Sequence, residues 1–184
     1  MNDAYKKDVY LLIFFAILLV SSFYADSFVL SNVNKENVFL MFFGEVGYWL
    51  VYAIVPLLLL YFFLLNRKLF PALAVAYFSN FVITYLIKFL ILRPRPFGGI
   101  YDPSFPSAHA SFAFVAIMFF KGRQRVIVAI IAVLIAISRI AAGAHYLSDI
   151  VAGAMLGYLI GLLCYDERDK IRQFLIPFSR GNRK

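Results

Sequence analysis

Six stretches of this chain run without a charged side chain: Val9 to Ala25, Val46 to Leu65, Leu69 to Ile87, Phe105 to Phe120, Val126 to Ser138 and Ile150 to Tyr165. Within them apolar residues occupy nearly every position instead of recurring along one helical face, so no polar stripe is left for water. The solvent that matches such helices is hydrocarbon, where each backbone N–H and C=O must be satisfied inside its own helix. Composition agrees: 63% of the 184 residues are hydrophobic and 15% charged, against roughly 45–50% and 25% in soluble domains. The pattern predicts an all-α integral membrane bundle of six transmembrane helices, one domain over residues 1–184.

A full crossing takes roughly 17–25 apolar residues. The first three runs meet that, whereas the fifth, bounded by Arg125 and Arg139, falls short. Arg125 can snorkel back to the interface. Arg139 has apolar sequence continuing beyond it and is expected to point into a polar cavity. The single cysteine, Cys164, has no partner, which excludes a disulfide framework and a thiolate cluster and leaves a small packing residue.

The net charge of +8 does not mark a nucleic-acid partner, because the basic residues sit in short clusters between apolar runs. Placing Lys6, Lys7, Arg67, Lys68, Lys121, Arg123, Arg125 and the tail residues Arg168, Lys170, Arg172, Arg180, Arg183 and Lys184 inside puts thirteen cations on the cytoplasmic side. Five remain outside: Lys35, Lys88, Arg93, Arg95 and Arg139. Both termini are then cytoplasmic. The first run, ending in "YADS", has the outline of a secretory signal peptide, but its removal would leave five spans and strand the charge pattern. Ser31 to Gly47 reads as an outside loop with an interfacial helix.

Ionisable groups at the edges of such helices are costly and mark function by default. They form three islands, all expected on the outer face. In "KFLILRPRP", Lys88 and Arg95 lie seven residues apart, about two helical turns, before Pro94 and Pro96 stop the helix. In "PSFPSAHAS", Pro106 and Ser107 make a good helix start, so free N–H groups and the positive end of the dipole offer an anion site beside His109. In "SRIAAGAHYLSD", Ser138 and Arg139 close the fifth run, and His145 and Asp149 share a helical face at i, i+4. A lone His–Asp pair is more often packing than chemistry; convergence with a second histidine and four cations argues for chemistry.

Cations and a helix start specify a multiply charged oxyanion, most simply phosphate. The face has few carboxylates (Asp149 and Asp102, with Asp26, Glu36 and Glu45 distant), too few for a metal phosphatase. No metal and no cofactor is therefore expected. An Asp-oriented histidine can attack phosphorus while the other protonates the departing oxygen.

The islands resemble the signature of the type 2 phosphatidic acid phosphatase family, K-x6-R-P, P-S-G-H and S-R-x5-H-x3-D. Lys88 with Arg95-Pro96, Pro106-Ser107-Ala108-His109, and Ser138-Arg139 with His145 and Asp149 match in order. Ala108 departs from the glycine of the second motif, keeping its N–H but adding a methyl. The resemblance implies His145 as nucleophile, Asp149 as its orienting partner and His109 as general acid, with Lys88, Arg95, Ser107, Ala108 and Arg139 holding phosphate. Arg93 is then a rim residue for the head group, and Tyr101, Asp102 and Ser104 carry no role. The implied activity is hydrolysis of a lipid phosphate or diphosphate through a phosphohistidine, at an interfacial site facing the periplasm or exterior of a bacterial inner membrane, with no obligatory protein partner. Undecaprenyl diphosphate, phosphatidylglycerol phosphate, phosphatidic acid and lipid A 1-phosphate all fit, the short loops favouring a large lipid whose body stays in the bilayer. A lipid or anion transporter could use the same cations, but a second histidine at a helix start serves proton delivery rather than binding. An intramembrane serine protease built on Ser107 would have no use for the cations.

Overall fold

A computed structural model describes residues 3–33, 36–97 and 102–176. The described residues form α1 (Asp3–Ser31), α2 (Val38–Leu65), α3 (Phe70–Ile91), α4 (Ala108–Val115) continued by a 3₁₀ turn (Ala116–Phe119), α5 (Gly122–Ala141), α6 (Leu147–Asp166) and α7 (Arg168–Leu175). From Val9 onward α1, together with α2, α3, α5 and α6, is long and apolar enough to cross a membrane, and Ala108–Phe119 supplies a shorter apolar segment. The protein is thus an all-α, multi-pass membrane bundle with its six apolar segments in the expected order. Phe28, Leu65, Phe78, Phe89 and Ile130 lie exposed on its outer faces, where hydrocarbon is the matching solvent.

Two expectations need correction. The fifth helix is not short: α5 runs for 20 residues because Arg123, Arg125 and Arg139 are carried inside it. Arg125 Nε donates to Phe120 O at 2.9 Å, holding that charge at the helix end. Nor, among the described residues, is there a separate interfacial helix before Gly47. Asn37 caps α2, its Oδ1 accepting from Phe39 N at 3.0 Å and Leu40 N at 3.2 Å, so Glu45 and Gly47 belong to the first turns of α2. Asn34, Lys35, Gly99, Tyr101, the tail from residue 177 and the side chains of Lys6 and Lys7 lie outside the described residues.

The centre of the bundle is α6, twelve of whose twenty residues are buried. It packs mainly on α4, with α1 and α3 beside it. Gly153, Gly157 and Gly161, spaced by four, form one stripe facing the backbone of α4. A Cβ at these positions would come within 2.4 Å of Ser107 O, 2.0 Å of Ser111 O and 2.3 Å of Val115 O respectively. Small residues are how membrane helices reach backbone contact. On the other side of the bundle Gly44 and Gly47 let α2 close on the end of α5: a Cβ would come within 2.6 Å of the Cβ of Ala142, its C-cap, and 1.8 Å of Ser138 Oγ. Because consecutive helices alternate in direction, the ends carrying Asp26, Lys88, Ser107, Arg139 and Asp149 collect at one end of the bundle. The links Arg67–Lys68 and Phe120–Lys121 lie at the other.

The glycine stripe gives the first prediction. Gly157→Leu drives a branched side chain into the Ser111 carbonyl and should cost about 1–3 kcal/mol or more, read as a fall of several degrees in the melting temperature of the purified protein in detergent. An unchanged melting temperature would show that α4 and α6 are not in backbone contact.

Candidate active site

Three local devices shape the functional end. The first is the close of α3: Leu92 takes a left-handed conformation at φ 50°, its N–H bonding Lys88 O, so the chain turns and Arg93 and Arg95 leave along new directions. The second is the start of α4, where Ser107 is the N-cap in extended backbone and its Oγ accepts from Ala110 N at 3.5 Å. Ser107 N in turn donates to Asp149 O at 2.9 Å, tying the start of α4 to α6. The third is the link from α5 to α6, where Gly143 at φ 63° reverses the chain and presents His145.

Lys88, Arg95, Ser107, Ala108, His109, Arg139, His145 and Asp149 all reach this end. Lys88, 4% exposed, directs Nζ at the carbonyls of Pro103 and Ser104, the latter at 3.3 Å. Arg95 donates through Nε to Asp102 O and through Nη1 to Ala144 O, both at 3.1 Å, and pairs through Nη2 with the Asp102 carboxylate. Asp102, which carried no role in the sequence, therefore aims this guanidinium. Arg139 crosses from α5 to α2, donating to Gly44 O at 2.8 Å and lying over the Tyr48 ring. His109 sits between Tyr48 and Tyr52, with ring centroids 4.9 and 5.8 Å away. It lies within electrostatic reach of Arg139, His145, Arg95 and Lys88.

His145 and Asp149 meet as their spacing requires, but not as a straight hydrogen bond. Nδ1 and Oδ2 are 3.4 Å apart in an ion-pair contact whose alignment leaves Nδ1 without a hydrogen bond. The same Oδ2 accepts from Tyr146 N at 2.9 Å. The opposite nitrogen, Nε2, stands 3.5 Å from Arg95 Nη1 and faces the cations. Among the described residues four buried side-chain polar atoms lack a hydrogen-bond partner, and three are here: His109 Nε2, Arg139 Nε and His145 Nδ1. A buried polar atom left unpaired costs about 1–3 kcal/mol; His145 Nδ1 has the Asp149 carboxylate beside it, while His109 Nε2 and Arg139 Nε have room for an added acceptor. No three His, Cys, Asp or Glu side chains cluster as a metal ion requires among the described residues.

Two expectations fail. Arg93 is not at the rim: its Nη2 donates to Asp26 at 2.8 Å, its Nη1 to Ser148 Oγ at 2.6 Å and to Asp149 Oδ1 at 2.8 Å. Asp26 is not distant: it is buried at the end of α1, its carboxylate accepting from Ser148 N at 2.9 Å and from Ser148 Oγ at 2.5 Å. Sequence spacing could not show this, since 122 residues separate Asp26 from Ser148. The available signal was a carboxylate in an apolar run with no local partner.

The PAP2 superfamily profile matches residues 68–172. The chain belongs to the PAP2 superfamily. An undecaprenyl-diphosphatase from Sulfolobus acidocaldarius is 29% identical over 148 residues, covering 73% of this chain and 70% of that protein. The crystal structure of Aquifex aeolicus LpxE is similar at TM-score 0.61 and 25% identity, over 76% of this chain and 91% of that one. That of the PAP2-type phosphatidylglycerolphosphate phosphatase from Bacillus subtilis shares the fold at TM-score 0.59 and 22% identity, over 95% of this chain and 98% of that one. This PAP2 protein is accordingly a membrane lipid phosphatase, a phosphoric ester hydrolase, and its three motif islands form one site at one end of the bundle.

His145 lies in the link outside the spanning helices. Burial pushes its imidazole down to about 4, against the pull of Asp149 and with help from Arg95. In His109→Ala a single histidine remains. Its NMR titration in detergent should show a midpoint near 4 rather than at the ordinary value of about 6.5; a midpoint above 6 would contradict this environment.

Proposed function

We propose that this phosphatase cleaves a lipid phosphate or diphosphate through a phosphohistidine on His145, at the extracytoplasmic face of a bacterial inner membrane. The observation carrying the reading is the disposition of the His145 ring: Nδ1 is against the Asp149 carboxylate, while Nε2 faces Arg95. Nε2 attacks phosphorus as the phosphorus–oxygen bond to the lipid breaks, and His109 gives that oxygen its proton. Water then attacks the phosphohistidine, returning a proton to His109 and releasing phosphate. Lys88, Arg95, Arg139, Ser107 and the N–H of Ala108 hold the equatorial oxygens, cations doing the neutralisation that elsewhere falls to a metal. Asp149 steadies the imidazolium. All of this lies within a single domain.

For the lipid, support comes from an apolar cleft of about 210 Å³ between α2, α3 and α4, with Tyr52, Val55, Phe81, Tyr85 and Phe112 in its wall beside Ala108 and His109. A hydrocarbon chain there would bring its ester oxygen to the general acid. The Sulfolobus relative favours a polyprenyl diphosphate; phosphate release from undecaprenyl diphosphate, phosphatidylglycerol phosphate, phosphatidic acid and lipid A 1-phosphate would rank them.

The roles separate by leaving group. In excess EDTA, His145→Ala should abolish turnover of phosphatidic acid and of p-nitrophenyl phosphate alike. His109→Ala should lower phosphatidic acid turnover by on the order of 10²- to 10⁴-fold and the aryl ester far less, since an aryl oxide leaves without a proton. Equal losses in His109→Ala would make His109 a phosphate ligand, and activity that needs an added divalent ion would refute the cation-only site.

The face rests on the basic clusters at the end opposite the site. With Cys164 replaced, a cysteine at Asn32, exposed at the site end, should react with an impermeant thiol reagent in intact cells, and one at Gln124, exposed at the other end, should not. The reverse pattern would place the site in the cytoplasm.

A further inference from the structure

Two charged groups at this end, Asp26 buried and Arg93 half-buried, belong to no motif. Arg93 falls in the spacer of the first island, and Asp26 lies on α1, ahead of the first residue of the family match at 68. They join in one chain of contacts. Arg93 is clamped between Asp26 Oδ2 and Asp149 Oδ1, both at 2.8 Å. Ser148 closes the ring, giving both its N–H and its hydroxyl to Asp26 while accepting from Arg93. The Arg93 guanidinium is further flattened on the Tyr146 ring, 4.0 Å from its centroid, so it has little freedom to leave.

We propose that Asp26 and Arg93 are positioning residues for the Asp149 carboxylate, setting both its orientation and the share of its charge that reaches His145. Orientation follows from Asp149 having each oxygen committed: Oδ1 to Arg93, and Oδ2 to Tyr146 N and the His145 ring. The charge share follows from the count. Arg93 is always a cation, and alone it would neutralise Asp149 and leave nothing to steady an imidazolium. Asp26 divides that cation, so the trio Asp26, Arg93 and Asp149 keeps one net negative charge next to Nδ1. Opposing it around His145 stand Arg95 and Lys88 from the end of α3, His109 from α4 and Arg139 from α5. From α2, Glu45, Tyr48 and Tyr52 act on Arg139. The consequence for turnover rests on the phosphohistidine reading above; the consequence for the imidazole does not.

The test follows the His145 titration by NMR in His109→Ala backgrounds, and kcat and KM for phosphatidic acid in the enzyme with His109 intact. Arg93→Gln frees the full charge of Asp149 and should move the His145 midpoint up. Asp26→Asn gives Arg93 wholly to Asp149 and should move it down, and the double variant should return toward wild type. Both single variants should lose kcat by on the order of 10²-fold with KM changed less than about twofold, and Arg93→Lys, which keeps the charge, should recover part of the loss. Packing damage alone would not move the midpoint in opposite directions. Midpoints that stay put or move together, or a kcat within twofold of wild type in Arg93→Gln, would overturn the proposal. Should Arg93→Gln fail to fold, Asp26→Asn against Arg93→Lys carries the same comparison: a lowered midpoint only in Asp26→Asn supports the proposal, and no difference refutes it. An active His145→Ala would instead refute the phosphohistidine and leave the midpoint shifts to decide the charge relay alone.

Discussion

Backbone contact between α4 and α6 is the constraint on which the rest depends. The carbonyls of Ser107, Ser111 and Val115 occupy the space where side chains of Gly153, Gly157 and Gly161 would stand. That approach fixes the height of Ser107 against Asp149, joined by a backbone hydrogen bond of 2.9 Å. With it comes the height of His109 against His145. A polar lattice behind the contact, Asn80 and Thr84 of α3 with Ser111 of α4, is fully buried and holds the third helix to the same pair. Hydrocarbon gives helices little hydrophobic reason to associate, so close packing and internal hydrogen bonds must set the geometry that the chemistry uses.

Charge is handled by confinement. Lys88 is aimed by two carbonyls, Arg95 by two carbonyls and the Asp102 carboxylate, and Arg139 by Gly44 O. Each cation has a short tether on one side and the site on the other. That is the preorganisation phosphoryl transfer asks for: little covalent work, and fixed charges where the oxygens will be. Arg93 differs in being shared between two carboxylates, Asp26 and Asp149, which is why it belongs with them.

The six apolar runs and the three islands were legible because bilayer hydropathy and fixed short spacings are local properties of a sequence. The Pro106-Ser107 start was read correctly for the same reason: an N-cap is decided within one turn. What escaped depends on the third dimension. Arg93 and Arg95 are two residues apart and look alike as letters, yet Arg93 meets Asp26 and Asp149 while Arg95 meets Asp102 and Ala144. Asp26 finds its partners only when α1 packs beside α6. The α5 helix was read as ending at its arginines, whereas those side chains bend to carbonyls at either end and leave the helix whole. The glycine stripe of α6 was present in the sequence at i, i+4, i+8, but without a facing helix it says only that something comes close.

The brevity of the fourth segment sets a depth. Eight α-helical residues and four in a 3₁₀ turn rise about 20 Å, whereas the twenty residues of α5 rise about 30 Å, the thickness of a hydrocarbon core. The two are joined at one end by Phe120 and Lys121 alone, so at the other Ser107 stops some 10 Å below the level that α5 reaches. Arg139, near the top of α5, therefore meets the start of α4 from above. Under the proposed mechanism, the phosphate and the hydrolytic water would both have to reach the start of α4, about 10 Å below the end of α5. The end of the bundle that gathers the three islands is in this sense recessed beside α5, with the start of α4 as its floor.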